Sequence, residues 1–561
     1  MALGILTVVA SCTPGSDTAP PRTAATTDES FTTFTDVTGQ TGIAFERDNG
    51  FDGESWRIVE TVNGGVALLD FDGDGRLDIY FTNGRKIDPG ASPPRNALYR
   101  NLGGLRFEDV SKGSGVDDSR LSLGCAVADI DGDGRLDIYV TNDGPNALYR
   151  NTGDGKFEDI ATAAGLAQVS VDSGSAFFDM DGDGDLDLYV ASYADDDKKE
   201  HTPLRVRGVD QYWPPLNYEG ALDHLYENRG DGTFVDVSEK SGIRAVTPFR
   251  GLGVITRDFN ADGFMDVYVA NDMTENFMFL GDGKGQFTDT GFYNGTALGD
   301  DGSRFGSMGV DAADYDGDGL WDLVVTNYQE QPNNLYRAQT KSDYQDMASA
   351  AEISSGTLPD VAWGVVFVDL DNDGWEDLFI ANGHLNPTIN DLHDSTTYAQ
   401  ANRVYQNLRG TRFREMTKSS GEALQVVQVG RGLVSGDLDN DGDLDLVVNN
   451  SIGQPQVLRN DVSASRNWAL VRLIGSNARP DAVGASVIVT AGGRSQRRER
   501  RSSSSFLSAC DPRLHFGLGA AERIDRLEVH WPDGKAETHE NLPAKRLLTI
   551  KHGGGVEVEE L

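Results

Sequence analysis

The sequence predicts an all-β protein: a seven-bladed β-propeller followed by a small β-sandwich or barrel. Three observations carry this expectation. An aspartate-rich unit recurs seven times, every copy runs into a short β-branched strand, and the chain begins with an orphan fragment that the last copy lacks.

The unit is DFDGDGRLD from Asp70, and its copies start at Asp129, Asp179, Asp258, Asp314, Asp369 and Asp437. Their starts lie 59, 50, 79, 56, 55 and 68 residues apart, close to the length of one propeller blade. The strands that follow read IYFTN, IYVTN, LYVAS, VYVAN, LVVTN, LFIAN and LVVNN. A further strand ends most units, as in NALYRN at Asn96 and Asn146, and a Phe-x-Asp segment such as FEDV at Phe107 closes them. The last unit stops at VLRN without that segment, whereas FTDV at Phe34 stands alone before the first. A ring would use the early strand to finish the last blade and leave no exposed edge. Residues 31–466 are therefore expected to form the propeller, and the apolar/polar alternation of 467–561 a second β-domain.

The spacing D-x-D-x-D-G-x-x-D brings oxygen donors together. Side chains at positions 1, 3, 5 and 9 and the carbonyl of position 7 are the candidate ligands, and Gly at position 6 permits the turn. The predicted sets are Asp70, Asp72, Asp74, Arg76 and Asp78; Asp129, Asp131, Asp133, Arg135 and Asp137; and Asp179, Asp181, Asp183, Asp185 and Asp187. They continue with Asp258, Asn260, Asp262, Phe264 and Asp266, then Asp314, Asp316, Asp318, Leu320 and Asp322. The last two are Asp369, Asp371, Asp373, Trp375 and Asp377, and Asp437, Asp439, Asp441, Asp443 and Asp445. Hard oxygens without His or Cys suit Ca2+, up to seven ions. Phe81 stands where an EF-hand would place its twelfth-position Glu, so these are calcium loops between strands. Without a cation the loops would oppose folding, because two unit charges ~5 Å apart repel by roughly 3 kcal/mol at an effective dielectric of 20.

The formal net charge is −40, from 89 acidic and 49 basic residues, which disfavours nucleic acid and anionic membrane surfaces. Three cysteines exclude a disulfide framework. The run ending Val9-Ala10-Ser11-Cys12 resembles a bacterial lipobox, so residues 1–11 are expected to be a signal peptide and Cys12 a lipidation site. Residues 12–30 form a Thr/Pro-rich tether, and no run is long enough to span a bilayer. Export is expected, to a bacterial surface, the periplasm or the medium.

Two other regions attract a ligand reading. An insertion over 195–224 carries Tyr212, Trp213, Tyr218 and His224, a candidate sugar-stacking platform or a loop packed over neighbouring blades. Arg494, Arg497, Arg498, Arg500 and Arg501 form a candidate anion patch for a glycan or lipid headgroup; docking on the acidic repeats and shielding of a sheet edge are the alternatives. Neither a zinc spacing nor a P-loop nor a G-x-S-x-G elbow is present.

The loops resemble the FG-GAP/VCBS repeats of integrin α-chain propellers and of bacterial secreted proteins. HFGLG at His515 and HWPDG at His530 resemble the ASPIC/UnbV module that follows such repeats in the cartilage acidic protein family. The resemblance, to a bacterial member of that family, implies a secreted, calcium-binding, non-catalytic scaffold for adhesion or for binding a glycan or surface protein. A polysaccharide-acting enzyme built on the insertion, or a structural subunit of a surface complex, are the competing expectations.

Overall fold

The computed structural model describes residues 31–84, 93–195, 201–246, 248–354, 356–462, 465–476 and 481–561. Cys12 lies outside them, together with the signal peptide and tether expected for 1–30.

Each aspartate motif is the turn between two buried antiparallel strands. In the first repeat Val66–Leu69 pairs with Asp78–Phe81, Leu69 opposite Asp78 and Val66 opposite Phe81. Both strands are apolar on both faces because neighbouring sheets cover both. Ala97–Asn101 and Phe107–Asp109 complete a four-stranded antiparallel sheet, and only the last strand turns polar residues to solvent. The six other repeats follow the same plan, with first strands Leu121–Ala128, Val169–Phe178, Gly251–Arg257, Val310–Ala313, Ala362–Val368 and Gly430–Gly436. In repeats two and three the long inner strands also pair, Val169 opposite Pro145, which fuses two sheets.

In the seventh repeat the fourth strand is the N-terminal Phe34–Asp36, with Phe34 opposite Asn460 and Asp36 opposite Leu458. The first strands touch one another in sequence order, and Gly430–Gly436 touches Val66–Leu69 in turn. Side chains reinforce those contacts. Asn101 Nδ2 donates to Leu77 O within its own repeat and, at 2.8 Å, to Leu438 O in the seventh. Asn151, Asn407 and Asn460 reach Phe71 O, Tyr315 O and Leu370 O of the preceding repeats in the same way.

The C-terminal region holds two four-stranded sheets. One contains Asn467–Ile474, Leu514–Gly519, Leu547–Lys551 and Val556–Glu559; the other contains Ser486–Ala491, Arg494–Glu499, Arg523–His530 and Ala536–Pro543. Val471, Val487, Phe516, Leu527 and Ile550 from both sheets meet in one core.

The segment linking Arg494–Glu499 to Leu514–Gly519 leaves these sheets and enters the middle of the repeats. Each of the seven first strands hydrogen-bonds to it. Leu68 N donates to Ala509 O, Cys125 N to Leu507 O, Val310 N to Ser505 O, Phe177 N to Ser502 Oγ and Val365 N to Ser505 Oγ. Ser503 Oγ donates to Val254 O at 3.3 Å, and Ser435 N lies 3.4 Å from Cys510 Sγ. The run of serines fits because short hydroxyls satisfy inward-facing backbone groups of the strands without filling the channel. Small residues face it: a Cβ on Gly65 would lie 2.2 Å from Leu507 O. Phe506 and Leu507 are buried among Val59, Leu121, Leu252, Met308 and Trp363. Cys125 and Cys510 are free thiols, and a bridge between them is not formed.

Phe506→Ala is expected to cost about 3–5 kcal/mol in urea unfolding, as for a core aromatic in a blade. A loss near zero would mean that the segment fills space without supporting the repeats.

Candidate metal centres

The turn geometry follows from the sequence of each loop. Position 6 has positive φ in all seven copies, from +84° at Gly75 to +104° at Gly184. Position 4 is also left-handed in every copy, and the residues there are Gly73, Gly132, Gly182, Ala261, Gly317, Asn372 and Asn440. Glycine and asparagine tolerate that region; Ala261 is the strained exception. The recurring Gly or Asn at position 4 is a signal that the ligand-based reading passed over.

Carboxylates lock the turn. The position-1 side chain accepts the position-6 N–H, as in Asp70 from Gly75 at 2.8 Å, Asp129 from Gly134 at 2.8 Å and Asp369 from Gly374 at 2.8 Å. The position-5 side chain accepts the N–H of position 7 in all seven loops, from Arg76 N to Asp74 through Asp443 N to Asp441, at 2.8–3.0 Å. Position 5 therefore shapes the turn, and Asp74 and Asp133 also pair with Arg76 and Arg135.

Position 9 is the most buried. Asp78 accepts Phe71 N at 3.1 Å on one oxygen and Asn101 N at 2.7 Å on the other. The same two bonds recur at Asp137, Asp187, Asp266, Asp322, Asp377 and Asp445, tying the second strand to the loop and to the third strand. Carboxylates of positions 1, 3 and 9 converge to within 4.8 Å in five named sets: Asp70–Asp72–Asp78, Asp129–Asp131–Asp137, Asp179–Asp181–Asp187, Asp314–Asp316–Asp322 and Asp369–Asp371–Asp377. Burial, and then the neighbouring carboxylates, push Asp78, Asp187 and Asp266 up to about 8 and Asp137 to about 7. Asp314 Oδ1 and Asp439 Oδ1 are buried acceptors with no donor among the described residues. An all-oxygen, convergent, partly unsatisfied donor set fits a hard divalent cation such as Ca2+. In the fourth loop Asn260 Nδ2 donates to Asp262 at 2.9 Å, so that site has one carboxylate fewer.

The two ligand readings outside the loops need correction. Tyr212 and Tyr218 are buried and cannot offer a ring face to a sugar. Tyr212 Oη donates to Glu60 at 2.9 Å and its ring packs on Trp56, while Tyr212 N donates to Asn386. The insertion thus lies across loops of the first and sixth repeats. Trp213 is half-buried and donates to Thr202 O. His224 stands apart from these rings: it stacks on Tyr226 and lies 3.0 Å from Arg244. It lines a separate cleft of about 600 Å³ with Asp143, Glu219 and Arg244, beside the exposed Val169 and Leu222.

The arginine patch is engaged within the molecule. Arg494 lies over Trp375 at 3.5 Å and Arg497 over Trp321 at 4.5 Å; Arg498 pairs with Glu376 at 2.9 Å, Arg500 with Asp481 at 3.2 Å, and Arg501 with Asp311. Arg498 and Arg501 thus meet carboxylates of the sixth and fifth repeats and Arg494 and Arg497 lie over loop tryptophans, whereas Arg500 is paired within the C-terminal region.

Asp78→Ala unpairs two buried N–H groups and is expected to cost about 2–5 kcal/mol, against less than about 1 for the exposed Asp74→Ala. Equal losses in urea unfolding would contradict the division of roles between positions 9 and 5. The raised carboxyls also fix a sign. In chelator, ionising them opposes folding, so the melting temperature should fall from pH 5 to pH 8, and added calcium should remove the fall.

The FG-GAP-like repeat model matches residues 70–140, 129–190, 216–269, 258–325 and 314–380, together more than half of the chain, and the ASPIC and UnbV model matches 475–557. Cartilage acidic protein 1 of Mus musculus is 28% identical over 489 residues, covering 84% of this chain and 61% of that protein; the Homo sapiens protein is 28% identical over 490, covering 84% and 60%. The chain thus spans about 60% of the length of these curated relatives. A solved lectin of Agrocybe aegerita that recognises non-reducing terminal N-acetylglucosamine aligns at TM-score 0.39 and 17% identity, covering 64% of this chain and 82% of its own. Among the described residues no helix is long and apolar enough to cross a membrane. The chain belongs to the FG-GAP-like repeat family, with an ASPIC and UnbV module after its repeats and homology to cartilage acidic protein.

Proposed function

We propose that the chain is an exported, non-catalytic scaffold: a closed seven-bladed β-propeller over 31–466, stiffened by up to seven Ca2+ ions, joined to a β-sandwich over 467–561 and presenting a binding face for a glycan or a surface protein. The observation that carries this reading is the sevenfold recurrence of one acidic turn whose ninth-position carboxylate is buried and bonded to its own loop and to the third strand. Closure is supported by the pairing of Phe34–Asp36 with Gln456–Asn460 and by the bond from Asn101 to Leu438 O. Homology to cartilage acidic protein supports the non-enzymatic assignment. The lipobox-like run ending at Cys12 supports export and a lipid tether in a bacterial host.

The cleft at His224 is the ligand position this reading favours. It combines Asp143, Glu219 and Arg244 with two exposed apolar side chains, a mixture suited to a sugar or a short peptide. A surface-complex subunit would use the same cleft for a protein partner.

A glycan array in calcium buffer, scored for both binding and chain shortening, tests the proposal. Retention of intact glycans that drops at least tenfold in Arg244→Ala is the expected result. Shortened products abolished by His224→Ala would replace the scaffold with a polysaccharide-acting enzyme. Capture of one surface protein and no glycan would select the complex subunit.

A further inference from the structure

The fourth repeat departs from the other six at three places, and all three meet at one surface pocket. In every repeat a short turn follows the fourth strand, and its two middle residues are exposed. They are Gly39-Gln40, Lys112-Gly113, Thr162-Ala163, Glu239-Lys240, Ser349-Ala350 and Lys418-Ser419 in six repeats, but Phe292-Tyr293 in the fourth. The third strand carries Arg100, Arg150, Glu227, Arg337, Gln406 or Arg459 where the fourth repeat has Leu280. Position 3 of the metal loop is Asp in six copies and Asn260 in the fourth.

Two of these departures are linked. Arg100 pairs with Asp72 and Arg337 with Asp316, so an uncharged Asn260 needs no arginine beside it, and Leu280 leaves an apolar surface there instead. The aromatic pair has no such explanation. Tyr293 is 86% exposed and Phe292 67%, more than any other aromatic side chain among the described residues, and the two rings meet edge to face at 5.9 Å. Adjoining aromatic rings left in water beside a pocket mark a binding surface.

The pocket holds about 280 Å³ at the seam of the fourth and fifth repeats. Phe259, Met278 and Leu280 supply apolar wall, and Lys341 and Asp343 are the only charged residues that line it. Lys341 Nζ donates to Ala261 O at 3.0 Å, which uses one of its three N–H groups, and Asp343 Oδ2 accepts from Thr340 Oγ1 at 2.8 Å. One charge of each sign favours neither an anion nor a cation. A hydroxyl both donates and accepts, so neighbouring hydroxyls can engage the ammonium and the carboxylate together. An aliphatic side chain would desolvate both charges and pair neither. A pyranose ring meets all of these demands, since its C–H groups suit the negative face of the Tyr293 ring and its hydroxyls suit the rim. We infer that this pocket and the Tyr293 ring bind one unit of a neutral oligosaccharide. The site shares no residue with the His224 cleft and does not depend on what that cleft binds.

The full chain bearing Arg244→Ala, which disables the His224 cleft, is titrated calorimetrically in calcium buffer with cello-, manno- and chito-oligosaccharides, and its mass is followed by sedimentation. At least one series should bind. Adding Tyr293→Ala should weaken that binding roughly tenfold at an unchanged melting temperature, because the ring is outside every core. Tyr293→Trp, which keeps a stacking face, should retain it, and Asp343→Asn should weaken it. Sugar bound by the natural chain but not by Arg244→Ala would place the ligand in the His224 cleft alone and overturn this site. Binding that is indifferent to Tyr293→Ala, or no binding of any series, would overturn it too. A dimer that Tyr293→Ala dissociates, with no sugar bound, would assign the aromatic pair to a contact between copies of the chain.

Discussion

The structure depends on an aspartate placed at the start of every second strand, where burial is almost complete. Asp78 is 0% exposed, yet each of its oxygens accepts a backbone N–H, one from the loop and one from the third strand. Those bonds make the carboxylate a structural joint, and its neighbours at positions 1 and 3 make it an electrostatic liability. A cation among them turns repulsion into attraction while leaving the joint intact. Everything else in the repeat can then be ordinary: two buried apolar strands, a third ending in asparagine and a fourth that meets solvent.

Neighbouring repeats are linked through the same loops. The asparagine that ends the third strand donates to a carbonyl beside its own position 9 and to a carbonyl of the adjacent loop. Where that residue is Gly281 or Ala338 only the backbone N–H to the aspartate remains. Asn228 of the third repeat reaches only Leu186 O in its own loop among the described residues, so the links are uneven and join repeat seven to one, one to two, five to six and six to seven.

The repeat architecture was legible because its signals are local. Asp, Gly and β-branched residues recur at fixed offsets, and each offset has one steric or electrostatic meaning. Even so, letter matching passed over Phe277–Gly281 and Tyr344–Asp346, where the burial pattern persists although the residues change. Long-range placement was less legible. A run of arginines reads as a free cationic surface until its partners Asp311 and Glu376, more than a hundred residues away, are known. Aromatic residues in an insertion read as a platform until Glu60 and Trp56 are seen to cover Tyr212. Serines 502–505 gave no signal, because hydroxyls suit solvent and a tightly packed channel equally well.

The seat of residues 502–510 in the middle of the repeats has a consequence for biogenesis. The first seven units leave the ribosome before the stretch that their innermost strands bond to has been made, and Leu68 waits for Ala509. Until then each unit carries inward-facing amides with only water to satisfy them. The molecule is sealed from its far end, as a barrel is by its bung, and a nascent chain stalled or cut short of that point remains an unfinished client for chaperones.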